Sequence, residues 1–385
     1  MRDVIFYIGT FKMPDLNAAA TRVLGIGKCL NELGYKVVFQ GNQIDSDHPE
    51  NVCTYYYNGF TYKTRKKWSN KEYYLDPSFA INTINEIGSE RIYALIMYHP
   101  SAIVAMKLKR YCDSKGIKTV SDITEWYDIK RQLYNGHTWI KALDFWARVY
   151  FVNPKIKNII AISTYLQNYY DKKGAETIRI PILKLSSNLA EEITKTDEAV
   201  ELCYCGSPSK KDLLLPIIEA VKDYIDSKKG QIRLKIIGSS LHEFEECNQY
   251  TISKKYLENI SFYGRLPHET ALALLKQSDY SFIIRPNLRY AIAGFPTKLV
   301  EAFSCGVAVI ACSNGDISEY VTDGINGYLV DPNDIKNDLN RVLGIISTLT
   351  VDDIITMKKE AYASGEKYFA YSKYTDLVGE YLRGI

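Results

Sequence analysis

The chain has 385 residues, 46% of them apolar and 24% charged, a length beyond one ordinary hydrophobic core and a composition that excludes a disordered or fibrous protein. Lysine and arginine number 48 against 45 acids, a net charge of +3, which is too weak a field over this length to make nucleic acid the main partner. Two domains are therefore expected, and any anion site must be local.

The first apolar run, residues 4–8 ahead of Gly9, is too short for a signal peptide and reads as a buried strand. Nothing approaches the roughly 18 consecutive apolar residues of a membrane span. Further runs at residues 36–40, 93–97, 118–120 and 158–162 alternate with helical patterns, as in a parallel sheet with crossover helices. After Pro181 the pattern restarts, with runs at 202–205, 233–237, 260–263, 280–284 and 307–311 and helices beginning near Leu213, His268 and Pro296. A polar connector over about residues 184–200 divides two α/β halves that are alike in architecture without being a sequence repeat. The eight cysteines lie apart and read as reduced core thiols. Cys203-x-Cys205 has no second pair at zinc spacing, so no metal is assigned there.

Open parallel sheets bind ligands beyond the carboxyl ends of their strands, which puts the candidates at strand exits. Gly9 and Thr10 lead through Pro14 and Asn17 to a helix carrying Arg22, a loop that serves either the turn alone or an anion or sugar contact. Tyr98-His99-Pro100 ends the third run, where a lone histidine is otherwise structural. Ser121-Asp122-Ile123-Thr124-Glu125-Trp126 ends the fourth. Asp122 reads as a helix cap, and Glu125 is kept for acceptor hydroxyls or as a base. Residues 139–151 are amphipathic, and core packing of Leu143, Trp146 and Tyr150 is preferred there, with contact to a membrane surface left open.

The most informative segment is Arg285-Pro286-Asn287 followed by Gly294-Phe295-Pro296-Thr297-Lys298-Leu299-Val300-Glu301-Ala302-Phe303. Pro296 suits a first helical turn, so the free amides of Thr297 and Lys298 lead out of a helix N-terminus and make an anion site. Glu301, near the next turn, either accepts two ribose hydroxyls or is a solvated helix carboxylate.

This segment, with Phe262 to Pro267 before it, Ser304-Cys305-Gly306-Val307-Ala308-Val309-Ile310 after it and then Glu319 to Val330, resembles the donor domain of family 4 retaining glycosyltransferases. The first half resembles them more loosely, through Gly9, Gly34-Tyr35-Lys36-Val37 and Ala161 to Leu166. The resemblance implies an α/β GT-B fold, two Rossmann-like domains with parallel sheets facing a central cleft. Residues 1–183 would be the acceptor side, with 366–385 packing back on it, and 184–365 the donor domain. It implies transfer from a nucleotide-diphosphate sugar, UDP or GDP type, to a glycan, lipid-linked or protein-linked acceptor in cell-surface polysaccharide or glycoconjugate synthesis. No other cofactor is implied, and the location would be cytoplasmic, with contact to the inner face of the cell membrane left open. A non-catalytic GT-B subunit and a sugar-nucleotide epimerase are the competing readings.

Residue by residue, Glu301 matches the second acid of the family's Glu-x7-Glu motif, and Ala293 stands where the first acid would be. Gly294, Phe295, Thr297 and Lys298 belong to a shortened Phe-Pro-x-Lys version found in polysaccharide-synthesis relatives. The family's diphosphate-gripping arginine and lysine correspond to Ser207 and, best, to Lys211, with Lys210 second. Arg285 would restore the missing charge, and Arg265 would lie near the base. His99 matches the family's cleft histidine. Asp45-Ser46-Asp47 has the Asp-x-Asp spacing that binds manganese in other glycosyltransferases, but reads as a surface turn.

Overall fold

The structure is a computed structural model and describes residues 2–13, 17–41, 52–65, 69–126, 139–185, 193–195, 198–208, 211–227 and 231–385. Pro14, the Asp45-Ser46-Asp47 stretch and Lys210 lie outside the described residues. The chain divides into two compact units, Met1–Leu185 with Tyr371–Ile385, and Ser186–Ala370.

The first unit is built on an eight-stranded sheet. In chain order its strands are β1 Val4–Gly9, β2 Lys36–Gln40, β3 Val52–Tyr57, β4 Phe60–Arg65, β5 Ile92–Tyr98, β6 Lys118–Ile123, β7 Asn158–Ala161 and β8 Glu176–Arg179, arranged β3-β4-β2-β1-β5-β6-β7-β8. All neighbours are parallel except the β3/β4 hairpin. Residues 4–8 are buried on both faces, as helix-covered parallel strands must be. One face packs Tyr7, Phe11, Phe39 and Phe60 under the helix Ala18–Glu32, and the other packs Phe6, Leu95 and Met97 under Ala102–Ser114. The C-terminal helix Thr375–Gly384 joins the first face through Val378 and Leu382. Gly379 permits this, because a Cβ there would lie 2.8 Å from Leu33 Cδ2.

The second unit has six parallel strands, β9 Val200–Cys205, β10 Ile232–Ile237, β11 Ile260–Gly264, β12 Tyr280–Ile283, β13 Ala308–Cys312 and β14 Gly327–Val330, in the order β11-β10-β9-β12-β13-β14. This is the 3-2-1-4-5-6 order of a doubly wound sheet. The β4-β2-β1-β5-β6-β7 stretch of the first sheet follows the same order, so each unit has one switch point, between β1 and β5 and between β9 and β12.

The expected core packing of Leu143, Trp146 and Tyr150 is not observed. The helix Trp139–Ala147 runs on through a π turn, Arg148–Val152, and buries Ala142, Phe145, Val149 and Val152 instead, while the three named residues are exposed. Apolar side chains ring this helix, so periodicity alone left its inward face undetermined.

Candidate functional site

In the second unit β9 leads into Gly206 and β12 into Arg285, on either side of the switch point. Gly206 has φ +137°, and a Cβ there would sit 2.4 Å from Lys298 Cε. Only glycine leaves room for the Lys298 side chain to descend from the helix Thr297–Ser304 onto the strand ends. After Gly206 the chain returns to the sheet, where the Leu213 N–H donates to the Ile284 carbonyl at 2.8 Å and sets Asp212 beside Arg285.

Arg285 Nε donates to Asp212 Oδ1 at 3.0 Å, and Lys298 Nζ lies 3.4 Å from Asp212 Oδ2 and 4.3 Å from the Tyr204 ring centroid. The Arg285, Asp212 and Lys298 side chains are 5%, 17% and 15% exposed. Among the described residues two cations thus share this carboxylate, a surplus of one positive charge within the cluster. Among the described residues Lys298 Nζ has no well-aligned hydrogen-bond acceptor. Burial pulls the Lys298 ammonium below the usual lysine value, although Asp212 opposes the shift. Burial also works to raise the Asp212 carboxyl, but Lys298 and Arg285 outweigh it and hold it below the usual range. A desolvated ammonium short of acceptors is a place where an incoming anion gains most.

Glu301 is half-buried one turn further along this helix, with His268 Nε2 3.5 Å from its Oε1. Thr297 occupies the helix's first position and is half-buried, as is Lys211 next to Asp212, while Arg265, after β11, is exposed. Asp212, Tyr204 and His268 were not anticipated, because they join the cluster through space and not through spacing. Phe295 corrects the donor-contact expectation: it is 7% exposed and packs against Tyr320 and Phe369, with ring centroids 5.5 and 5.8 Å away. Gly294 and Ala293 are buried beside it.

At the first unit's switch point, Gly9 reflects close packing: a Cβ would lie 2.3 Å from the Tyr98 carbonyl oxygen. The Thr10 N–H donates to that same oxygen at 3.2 Å and so is already engaged in the sheet. Arg22 corrects the expectation of a phosphate or acceptor contact. It is 1% exposed, donates through Nε and Nη2 to Asp122 at 2.6–3.1 Å and through Nη1 to the Ile180 carbonyl at 2.8 Å. Asp122 is accordingly no helix cap; its carboxylate accepts from Arg22 and from the Tyr7 hydroxyl at 2.5 Å.

His99 follows β5 with φ +51°, a left-handed backbone that few non-glycine residues adopt and that concentrates at functional positions. Arg148 Nη1 lies 3.1 Å from Nδ1 and the Thr124 hydroxyl 2.8 Å from Nε2. Nε2 also faces the Thr124 amide, a donor 3.2 Å away, so Arg148 and Thr124 together fix the ring. Arg148 in turn pairs with Asp144 at 3.1 Å, whose Oδ1 accepts from the Ala102 amide. Glu125 is half-buried and lines, with His99, Phe145 and Arg148, a pocket of about 20 Å³, enough for one water. A roomier pocket of about 60 Å³ opens beside it, lined by Gly9, Gln40, Gly41, Tyr73 and Ser101. Gln40 is 5% exposed, and its Oε1 has no partner among the described residues.

Comparison with known proteins bears on the family and the fold. Residues 187–347, all in the second unit, match the family model described as glycosyl transferases group 1. An uncharacterized glycosyltransferase of Methanocaldococcus jannaschii is 28% identical over 49% of this chain and 50% of its own length. A lipopolysaccharide 1,2-N-acetylglucosaminetransferase of Salmonella typhimurium is 28% identical over 40% of this chain and 42% of its own. The matches thus span half or less of these relatives' length. Among solved structures, sucrose-phosphate synthase of Thermosynechococcus elongatus superposes with TM-score 0.69 at 16% identity, over 100% of this chain and 99% of its own. Anabaena HepE in complex with UDP-glucose does so with TM-score 0.64 at 13% identity, over 99% and 100%. The chain therefore has the GT-B fold, an α/β architecture of two mostly parallel sheets.

Proposed function

We propose that this chain is a retaining glycosyltransferase of the family 4 type, moving a sugar from a nucleotide-diphosphate sugar to a glycan or lipid-linked acceptor in cell-surface polysaccharide or glycoconjugate synthesis. The observation that carries the reading is the surplus cation at the second unit's switch point, Lys298 short of an acceptor beside Arg285 and Asp212. A diphosphate oxygen is the partner this ammonium lacks among the described residues, with the first-turn amides of Thr297 and Lys298 at hand for further oxygens and Lys211 beside them. Charge developing on the departing diphosphate would then meet groups already in place. Glu301 would accept the ribose hydroxyls and Arg265 would lie near the base. The group 1 match over this unit and the UDP-glucose complex of HepE support a UDP- or GDP-type donor.

On the acceptor side the reading uses Glu125 and His99 with the pocket that Gln40 lines. His99 is held in place by Arg148 and Thr124, which suits it to orient a substrate. The acceptor hydroxyl would attack from the face the diphosphate leaves, so the new bond keeps the donor's configuration. Ala293, buried where the motif of the resembled family has its first acid, favours the competing reading of a non-catalytic subunit. Incubation with a panel of nucleotide sugars and candidate acceptors, reading nucleotide release and the product's anomeric configuration by NMR, tests the proposal. Release with retention is expected and should persist in excess EDTA. Binding without release would establish the non-catalytic reading.

A further inference from the structure

The helix that supplies Arg148 to His99 presents a very different surface on its other side. From Trp139 to Ile156 the chain is continuously helical through the π turn, roughly 27 Å at 1.5 Å per residue. Its outward side chains Trp139, Ile140, Leu143, Trp146, Tyr150 and Phe151 are each 38% to 60% exposed, and Trp146 and Phe151 sit against each other with ring centroids 4.8 Å apart. Single exposed apolar residues are ordinary; six on one short helical segment are not.

Charge says what covers this face. Lys141, Lys155 and Lys157 are exposed on the same segment and its end. The one acid between residues 139 and 157 is Asp144, which is neutralised by Arg148 and by the Ala102 amide. Tryptophan, tyrosine and aliphatic side chains flanked by lysines, with no free carboxylate, fit the boundary between acyl chains and anionic headgroups. A protein partner would more often be met by mixed charge.

We infer that the outer face of the Trp139–Ile156 segment docks on an anionic lipid bilayer. The inner face of the same segment lines the small pocket with His99 and Glu125 through Phe145, Arg148 and Val149. Docking therefore seats the acceptor-side pocket next to the membrane, where the substrate class is a lipid-linked glycan. That last step rests on the transfer reading; the docking itself does not.

The full chain is tested by flotation with vesicles of mixed phosphatidylglycerol and phosphatidylcholine, and with phosphatidylcholine alone. Wild type is expected to float with the anionic vesicles and much less with the neutral ones. Trp139→Ser with Trp146→Ser and Phe151→Ser should lower partitioning at least about tenfold, and Lys141→Glu with Lys155→Glu should lower it about fivefold or more per lysine on anionic vesicles. Circular dichroism establishes that the variants fold, and nucleotide titration, which reads the second unit, should be unchanged in both; a loss of transfer chemistry would thus be told apart from a loss of docking. Wild type that floats with neither vesicle, or an aromatic variant that floats as well as wild type, overturns the inference. Concentration-dependent self-association abolished by the aromatic variant, without vesicle binding, would assign the face to a second copy and overturn it equally.

Discussion

Each unit buries an arginine–aspartate pair near the strand ends of its sheet. In the first, Arg22 and Asp122 are 1% exposed, the charges are balanced one to one, and the hydrogen bonds run to Tyr7, to the opposing carboxylate and to the Ile180 carbonyl. In the second, Arg285 and Asp212 are joined by Lys298, and among the described residues the charges do not balance and one ammonium lacks an aligned acceptor. A satisfied pair ties elements together: Arg22 links the helix Ala18–Glu32 to β6 and to the segment after β8. A cluster left one anion short is, in our reading, where a ligand finishes the hydrogen bonding. The same residue types therefore serve structure in one unit and, in our reading, the donor in the other.

Breaking the closed pair should have the largest effect. Asp122→Asn leaves the Arg22 guanidinium buried without its counter-charge, at a cost of about 3–5 kcal/mol and a fall of about 10 °C in Tm by scanning calorimetry. Added nucleotide should not recover it. Asp212→Asn should cost less, about 1–3 kcal/mol, because its surroundings admit water. A nucleoside diphosphate should recover part of that loss by supplying the missing anion. The Asp212 carboxyl is held below its ordinary 3.8 in the folded state, so its contribution is full above that pH and lost as pH falls through the lower folded value. The stability gap between wild type and Asp212→Asn, measured by urea unfolding, should accordingly close in acid and stay constant from pH 5 to 8.

Smaller effects sharpen the contrast. Glu301→Ala should weaken a nucleoside diphosphate by about 1–2 kcal/mol while leaving inorganic pyrophosphate unaffected, because only the former carries ribose hydroxyls; equal weakening of both, in calorimetric titration, would move Glu301 to the phosphate side. Tyr7→Phe should cost about 1 kcal/mol, since Arg22 still holds Asp122 through two nitrogens. A loss as large as that of Asp122→Asn would mean that the hydroxyl, and not the ion pair, is the tie.

Much of this was legible in the chain before its coordinates. The buried parallel strands stand out as apolar runs bounded by glycine and polar residues, and residues 36–40 coincide with β2. The β3/β4 hairpin went unread although Asn58-Gly59, with φ +48° and +83°, is a strong two-residue turn signal; tyrosines and threonines on both faces blurred the alternation. The edge strands β8 and β14 are four residues each, too short for a periodic signal. At the site, Arg285, Lys298 and Glu301 could be picked out because a helix start and a strand exit advertise themselves. Asp212 could not, since its place depends on the backbone bond from Leu213 to Ile284. Arg22 and Phe295 were misjudged for one reason: spacing shows that a side chain lies near a strand exit or helix start, but not whether the core closes over it.

The most direct test of the open cluster is isothermal titration of wild type and Lys298→Met with UDP, GDP and ADP. Wild type should bind one of these nucleotides, and the variant, having lost the ammonium that lacks an acceptor, should bind that nucleotide about ten- to a hundredfold more weakly at an unchanged Tm or a slightly raised one. Equal affinity in the two proteins, or no binding of any nucleotide by wild type, would contradict the assignment of the Arg285–Asp212–Lys298 cluster to the donor diphosphate.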